Sequence, residues 1–368
     1  MLVPNLRFNQ FNNSYTSKKL SDIAKIVMGQ SPDSKNYTFN TNATLLIQGN
    51  ADLANGKIKP RIYTSSITKM CAVNDIIMTV RAPVGDLAIS QYDACIGRGV
   101  CLIRGTKYLY YYLESFKQRG GWKKISKGST IDSITSDDLK NININLPNNI
   151  EQSKISNFLT LLDKKIELQK RKIDALKIYK KGLLQNLKSN SKDWKEFRIK
   201  DLFNITRGQV IPKNSLRDLS DKEYKYPVYS SQTSNYGILG YDKTYDFDGQ
   251  YLTWTTDGAN AGKVFYRNGK FRCTNVCGLL YSSQNVAYIN LLTADLLNYE
   301  TPKYVSYVGN PKLMNNVMSN IKIKLPSLKI QSKISNIFII FNKKIYIENQ
   351  KLEKLNNLKK SLLQQMFI

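Results

Sequence analysis

The sequence predicts an α+β protein in which two mixed, strand-rich globular domains are joined by two long helices that pair as an antiparallel coiled coil. Three observations predict this fold. The chain has 368 residues, enough for two domains. It contains an internal repeat, and each copy of the repeat ends in a heptad pattern of apolar residues. We expect a first globular domain at 1–150, a first spacer helix at 151–190, a second globular domain at 191–329 and a second spacer helix at 330–368.

The repeat is clearest at the end of each half. Residues 142–187 align with residues 321–366 at an offset of 179, and roughly 20 of these 46 pairs are identical. The block Gln152–Asn157 returns unchanged as Gln331–Asn336. Two copies of one unit predict a pseudo-two-fold protein.

The same offset pairs Gly29-Gln30 with Gly208-Gln209 near the start of each half. Between the matched ends, residues 31–140 and 210–320 share almost nothing that can be aligned. Each half therefore has an equivalent frame around a divergent middle.

Each long helix follows a strand that alternates isoleucine with polar residues and stops at a proline, at 142–147 and at 321–326. The apolar residues then recur at alternating steps of four and three, which predicts a coiled-coil seam rather than an isolated amphipathic helix. The seam residues are Ile155, Leu159, Leu162, Ile166, Ile173, Leu176, Leu183 and Leu187 in the first copy, and Ile334, Phe338, Phe341, Ile345, Leu352, Leu355, Leu362 and Met366 in the second.

The direction of pairing follows from two lysines that interrupt the seam. A parallel pair in register would place Lys180 against Lys359, and the repulsion between these two like charges disfavours it. Antiparallel pairing instead places Lys180 near residues 341–345 and Lys359 near Leu162 and Asp163. Two equivalent units that meet through one self-complementary surface also require a two-fold axis. We therefore predict an antiparallel pair that holds the globular parts apart.

The divergent middles read as strands around glycine-rich loops, at 75–89 and 95–101 in the first half and at 251–266 in the second. Arg, Asn, Thr and Asp side chains on such loops can hydrogen-bond base edges in DNA, although ordinary polar hairpin loops have the same composition. The candidate DNA-binding residues are Arg81, Arg98, Lys127, Thr256, Asp257, Asn260, Thr274 and Asn275.

The net charge supports a polyanionic partner. The chain has 55 Lys and Arg against 28 Asp and Glu, a formal charge of +27. Double-stranded DNA is the favoured partner. An AT-rich coding sequence that favours lysine, or a merely soluble basic surface, would give a similar composition.

The absence of histidine excludes serine–histidine and cysteine–histidine nucleophile pairs and histidine-based zinc sites. Five cysteines in so long a chain do not form a secreted disulfide framework, so we expect a reducing cytoplasm. We expect no signal peptide and no membrane span. We expect no cofactor and no metal, because Cys273 and Cys277 lack a second ligand pair nearby.

The two-copy frame resembles the specificity (S) subunit of Type I restriction-modification systems. The resemblance rests on the Leu-Pro strands, the Gln-x-Lys-Ile helix starts and the Lys-Lys-x-Leu-Leu-Gln helix ends. The segments Gly128–Ile131, Arg98-Gly99, Thr256–Ala259 and Thr274-Asn275 add to it. It implies that each globular part is a target-recognition domain that reads one half of a bipartite DNA sequence.

The same resemblance implies that the helices dock methyltransferase (modification) subunits, two per chain, which in turn support a nuclease and translocase subunit. The partner-binding candidates at the helix ends are Leu183, Leu184, Gln185, Leu362, Leu363 and Gln364. The chain itself is then a DNA-recognition subunit without catalysis, in agreement with its lack of phosphate-binding and methyltransferase motifs.

Two other functions stay open at this stage. Asp201 or Asp218 with Glu223 and Lys225 loosely imitates a metal-dependent nuclease, which would make the chain a stand-alone, Mg-dependent restriction endonuclease. A coiled-coil scaffold with incidental positive charge is the other alternative.

Overall fold

The computed structural model describes residues 3–125, 133–282 and 286–368. The chain divides into two compact units. The first unit comprises Met1–Lys170 and Gln350–Ile368, and the second comprises Arg171–Asn349. Each unit therefore contains part of both long helices, instead of leaving the helices as a separate module.

The first half of the chain carries thirteen strands and five helices over its described residues. The strands are β1 (Thr16–Lys19), β2 (Lys25–Met28), β3 (Tyr37–Thr38), β4 (Thr44–Ile47), β5 (Leu53–Ala54), β6 (Lys57–Ile58), β7 (Ile62–Thr64), β8 (Met70–Cys71), β9 (Ile76–Thr79), β10 (Leu87–Ile89), β11 (Ala94–Ile96), β12 (Val100–Arg104) and β13 (Asn143–Leu146). The helices are α1 (Leu20–Ile23), α2 (Lys107–Gln118), α3 (Gly121–Ile125), α4 (Ser136–Lys140) and the long α5 (Asn149–Ser189).

The second half carries nine strands and four helices over its described residues. The strands are β14 (Lys195–Arg198), β15 (Asn204–Arg207), β16 (Tyr226–Tyr229), β17 (Ile238–Asp242), β18 (Gln250–Thr255), β19 (Val264–Asn268), β20 (Arg272–Cys273), β21 (Cys277–Tyr281) and β22 (Lys322–Leu325). The helices are α6 (Ile199–Leu202), α7 (Leu291–Glu300), α8 (Asn315–Asn320) and the long α9 (Leu328–Gln365).

The strands that frame the two halves repeat residue for residue. Strand β1 pairs antiparallel with β13, with Thr16 opposite Leu146. Strand β14 pairs with β22 in the same way, with Lys195 opposite Leu325. Both members of the pair are shifted by the 179-residue offset, so the predicted repeat is confirmed.

The divergent middles share one sheet topology although their sequences do not align. The first unit contains a sheet of order β2-β12-β9-β10-β6-β5, and the second a sheet of order β15-β21-β18-β19. The first four strands of the larger sheet match the smaller one in order and in antiparallel direction. In a second sheet of each unit, β11 pairs parallel with β4 and β20 pairs parallel with β16. The fold is thus repeated beyond the segments in which the sequence shows the repeat.

The seam residues of the long helices are part of the core of each unit. In the first unit, Ile155, Leu159 and Leu162 of α5 and Leu362 of α9 pack in one cluster with the aromatic run of α2. In the second unit, Ile334 and Phe338 of α9 pack with Trp254 and Leu280, and Leu183 of α5 packs against this cluster. The early part of one helix and the late part of the other thus meet in each unit, which confirms the antiparallel coiled coil.

The seam lysines lie where antiparallel pairing places them. In the first unit, the Lys359 ammonium contacts the carboxylates of Asp163 on α5 at 2.8 Å and Glu114 on α2 at 2.9 Å. In the second unit, the equivalent Lys180 contacts Asp295 of α7 at 2.7 Å and donates a hydrogen bond to Asn342 of α9 at 2.9 Å.

Burial and neighbouring charges both shift the pKa values of Glu114 and Lys359. Burial raises the pKa of Glu114, although the adjacent Lys359 opposes the shift. Burial also lowers the pKa of Lys359, but the carboxylates of Glu114 and Asp163 outweigh it and raise that pKa overall. The lysine therefore stays charged at neutral pH and forms ion pairs with two carboxylates, one on the partner helix and one on the globular part.

The leucines predicted to bind a partner lie in or against the hydrophobic cores of the two units. Leu362 and Leu363 belong to the core of the first unit, Leu184 belongs to the core of the second, and Leu183 packs against the second core. Because these leucines pack inside the units, internal packing explains why they recur in both copies of the repeat. Gln185 and Gln364 are exposed. No helix among the described residues combines the length and the apolarity that crossing a bilayer requires.

Replacing the two seam lysines with methionine should have unequal effects on stability. Lys359→Met leaves two carboxylates without their cation, whereas Lys180→Met leaves one carboxylate and a neutral asparagine. We expect losses in the free energy of unfolding of about 2 and about 1 kcal/mol, below the values for fully buried pairs because solvent still reaches these groups. Urea unfolding followed by tryptophan fluorescence measures both.

The loss of stability caused by Lys359→Met should depend on pH. Because burial raises the pKa of Glu114, lowering the pH protonates this carboxyl in the Lys359→Met variant more readily than it would an ordinary glutamate, which reduces the cost of the substitution. Because the pKa of Lys359 is raised, the lysine contributes fully to the stability at pH 7. This contribution is lost only when the pH rises through the raised pKa of the lysine. The exposed Lys360→Met is the control. A Lys359→Met loss no larger than that of the control would contradict the assignment.

Candidate nucleic-acid interface

Arg81 and Arg98 line one cleft in the first unit. Both side chains are exposed, Arg81 shortly after β9 and Arg98 in the turn between β11 and β12. They border an open cleft of about 670 Å³ together with Gln30, Gln48 and Asn50. The cleft thus gathers two guanidinium groups and three amide side chains, the residue types that read purine edges in DNA.

Backbone hydrogen bonds fix the turn that carries Arg98. Val80 donates its N–H to the carbonyl of Gly99 at 3.0 Å, and Gln30 donates to Ile96 at 2.9 Å. The Arg98 N–H donates to the Ser31 hydroxyl at 3.0 Å. The turn is therefore held from two neighbouring segments, while its arginine side chain is exposed at the surface.

The repeated Gly29 and Gly208 are required by close backbone contact. A Cβ atom on Gly29 would lie 2.2 Å from the carbonyl oxygen of Gly97, and one on Gly208 would lie 2.0 Å from that of Cys273. Only glycine permits these approaches. The Gly-Gln pair that the sequence repeats therefore anchors the turn beside it in each unit.

The second unit presents the same backbone frame. Thr256 donates its N–H to Val276, as Val80 does to Gly99, and Gln209 donates to Cys273, as Gln30 does to Ile96. Leu313 donates to Thr256 at 2.8 Å, as Ile134 donates to Val80 at 2.9 Å.

These bonds define two pairs of equivalent positions, which we call the tip positions. The first tip position holds Arg81 in one unit and Asp257 in the other, and the second holds Arg98 and Asn275. Isolated bridges agree, since Arg81 pairs with Ser133 where Asp257 pairs with Lys312. The sequence does not reveal this correspondence, because the two middles cannot be aligned.

Among the sequence-predicted residues of the second unit, Asp257 is half-buried, and Asn260 and Asn275 are exposed. Thr256 and Thr274 are buried instead. The Thr256 side chain is 0% exposed and donates its hydroxyl to the Asp257 carboxylate at 2.5 Å. The Thr274 hydroxyl bonds to Ser230 at 3.0 Å. Both threonines therefore support the loops rather than present their hydroxyls to a ligand.

Lys127 lies outside the described residues, as do the neighbouring residues 128–131 of the family-like segment. The equivalent part of the second unit forms a hairpin closed by the bridge between Ser306 and Lys312. Its apex exposes Tyr307 and Val308, the latter at 92%. Sequence reasoning missed this hairpin, although its Gly309-Asn310-Pro311 segment is a turn signal.

The groups considered for metal or catalytic roles are engaged elsewhere. Glu223 forms an ion pair with Lys243 at 2.6 Å, and Asp201 accepts from the backbone N–H of Arg198 at 3.1 Å. Cys273 and Cys277 are buried thiols, and burial raises the pKa of Cys273. Over the described part of the chain, no group of three or more His, Cys, Asp or Glu side chains could hold a metal ion.

The long helices expose apolar side chains in a repeated pattern. We call Phe158, Leu161, Leu168 and Leu358 the first quartet, and their equivalents Ile337, Ile340, Ile347 and Tyr179 the second quartet. Each member directly precedes a position of the four-and-three spacing, which is polar at Gln169 and Glu348, after Leu168 and Ile347. In an antiparallel pair, such positions project to the same side of both helices. Each unit therefore presents one apolar strip along its part of the helix pair.

The lysines near the strips differ in their contacts. Lys172 forms an ion pair with Glu348 at 3.0 Å, and Lys170 donates to Asn55 at 2.8 Å. Lys165 and Lys344 occupy the equivalent site between the second and third members of each quartet and are exposed. The strips are thus apolar with a basic centre.

A family model, described as the Type I restriction modification DNA specificity domain, matches the chain twice, over residues 12–177 and 191–357. The two matches coincide with the two copies of the internal repeat. Together they cover most of the chain.

Similar proteins carry matching descriptions. A putative type I specificity subunit of Mycoplasma pneumoniae, S.MpnORF365P, is 36% identical over 228 residues, which is 60% of this chain and 83% of that protein. The specificity subunit of the Type I restriction enzyme MpnII, from the same organism, is 43% identical over 148 residues, 40% of this chain and 43% of that protein.

Two solved structures have a similar fold over nearly the full length. The S subunit of a Type I restriction-modification system from M. genitalium superposes with a TM-score of 0.67 at 18% identity, covering 100% of this chain and 99% of that one. A chain from a study of complex assembly and conformational transition of the type I R-M system gives a TM-score of 0.54 at 16% identity, covering 97% and 98%.

Proposed function

Because the chain belongs to the family of Type I restriction modification DNA specificity domains, we propose that each of its two units reads one half of a bipartite double-stranded DNA target. The chain is then the specificity subunit of a Type I restriction-modification complex. The observation that carries the proposal is the shared backbone frame, which presents different polar side chains at the same tip positions in the two units.

The chemistry of the tips suits DNA bases. Arginine forks match the O6 and N7 acceptors of guanine, asparagine matches adenine, and aspartate accepts from an amino group. The net charge of +27 supplies the attraction to phosphates that such binding requires. A frame with variable tips also explains why the middles diverge while their topology is kept.

The proposed role is recognition without catalysis and without a cofactor. Methylation and cleavage then belong to partner subunits, and the chain determines where they act. An intracellular, reducing location is part of this proposal, and the five free, buried thiols support it. The nuclease alternative gains no support from Glu223, because its carboxylate is paired with Lys243.

The two quartets are the proposed docking sites of the methyltransferase subunits. They are equivalent by the 179-residue repeat, so they fit two copies of one partner, one per unit. Exposed apolar side chains such as Leu161, at 65%, and Ile340, at 66%, mark protein interfaces when they form a continuous strip. The nuclease and translocase subunit would then join through the methyltransferase subunits.

The DNA affinity of the methyltransferase-bound chain should depend steeply on salt. If the two units together neutralise about six phosphates, the logarithm of the binding constant falls by about 0.9 per phosphate for each tenfold rise in salt. A fluorescence titration at several salt concentrations measures the slope, and a scrambled duplex is the control. A slope near zero, or equal affinity for every duplex, would contradict sequence-specific DNA recognition. Plasmid cleavage by the purified chain with Mg²⁺ would contradict the non-catalytic role.

Charged substitutions in the quartets should remove methyltransferase subunits one at a time. Leu161→Asp places a carboxylate in the first strip and Ile340→Asp one in the second, so each single variant should retain one subunit per chain and the double variant none. Native mass spectrometry of the reconstituted complex counts the subunits. Ile178→Asp, at an exposed position outside both quartets, is the matched control. Two subunits on the double variant would show that docking occurs elsewhere.

A further inference from the structure

We infer that the two tip positions determine how the two half-sites differ: the first unit reads guanine with Arg81 and Arg98, and the second reads adenine with Asn275 and an exocyclic amino group with Asp257. This inference rests on the proposed function and adds to it the chemistry of the bases at named positions.

The first support is equivalence of position. The N–H of the residue before the first tip donates to the residue after the second tip in both units, from Val80 to Gly99 at 3.0 Å and from Thr256 to Val276 at 3.1 Å. The backbone therefore brings the two tips together in the same way twice. What differs between the units is the side chain at each tip and hence the base edge that it can bond.

The second support is that the first unit offers donors at its tips. Neither the Arg81 nor the Arg98 guanidinium has an ion-pair partner among the described residues, so both are free to donate. The nearby carboxylates are engaged. Asp52 is buried and accepts from the N–H groups of Gln48 and Gly49, and Asp86 is bonded to Asn50 and Lys117. Donors without a free carboxylate beside them suit the two acceptors of guanine.

The third support is the opposite polarity of the second unit. An ionised Asp257 only accepts hydrogen bonds, and the Thr256 hydroxyl already orients it. Its remaining lone pairs fit the amino group of cytosine or adenine and repel the O6 and N7 atoms of guanine. A carboxylate beside DNA is repelled by the phosphates unless a hydrogen-bond donor faces it. Asp257 is therefore unsuited to phosphate contact. The first tip position thus selects for guanine in one unit and against it in the other.

The exposed Asn275 completes the contrast. Its amide can donate to N7 and accept from N6 of adenine, a pairing that an arginine cannot make. Since Asn275 and Arg98 lie at the same place in the frame, an exchange of these two residue types should exchange the base preference at one position of each half-site.

The experiment uses the full chain assembled with its methyltransferase subunits and a library of randomised duplexes, sequenced after selection. Asn275→Arg should replace an adenine preference with guanine at one position of the second half-site. Arg98→Asn should reduce the guanine enrichment at one position of the first half-site by about tenfold or more. In both cases the other half-site should stay unchanged.

Two conservative variants keep the test valid if an exchange disturbs folding. Arg98→Lys preserves the charge but lacks the planar fork, so it should weaken the guanine preference, while overall binding at low salt falls less than in Arg98→Asn. Asp257→Asn should weaken the discrimination against guanine at one position of the second half-site. Thermal unfolding midpoints identify any variant that fails to fold.

The outcomes separate this inference from the proposed function. Retention of every base preference in all four variants, whatever happens to overall affinity, would overturn the inference and leave the proposed function standing, because the tip side chains would then not read bases. A natural complex that selects no sequence at all would overturn the proposed function itself.

Discussion

The antiparallel pairing of the two long helices is the constraint on which the rest of the structure depends. Each unit completes its core with the early part of one helix and the late part of the other, so residues far apart in the chain stabilise one domain. In the first unit, Lys359 joins Asp163 of the partner helix and Glu114 of the globular part. A parallel pair would lose these contacts and would place the two seam lysines against each other. The buried polar cluster therefore specifies direction as well as adding stability.

The recognition surface depends on a different principle. Backbone hydrogen bonds, together with the glycines at 29 and 208, hold the tip turns, so the turns do not require one particular side chain at each tip. Residues that do not stabilise the fold are free to differ. The same physical separation explains two features at once, the loss of sequence similarity between the middles and the retention of their strand order.

How far the sequence predicts this structure depends on whether a residue acts through a local pattern. The heptad seam and the 179-residue offset predict both long helices, their direction and the places of Lys180 and Lys359 on the opposite helix, but not the contacts of these lysines with Asp295 and Glu114 of the globular parts. The helix-end leucines carry no local signal that distinguishes a core from a partner surface, and Leu363 belongs to the core. Thr256 and Asp257 are adjacent in sequence, yet only the sheet determines which one is buried. The equivalence of Arg98 and Asn275 arises from hydrogen bonds between distant segments, which no alignment of the two middles reveals.

The measurement that tests this account most directly is the target sequence of a chain in which residues 31–140 are replaced by residues 210–320. If each unit is an independent reader on a repeated frame, the replacement keeps the flanking strands, the helix pair and the methyltransferase docking strips. Selection from a duplex library by the assembled complex should then recover two copies of the second half-site, with the first half-site gone. Retention of the first half-site, or loss of all sequence preference in a folded and fully assembled complex, would contradict the account.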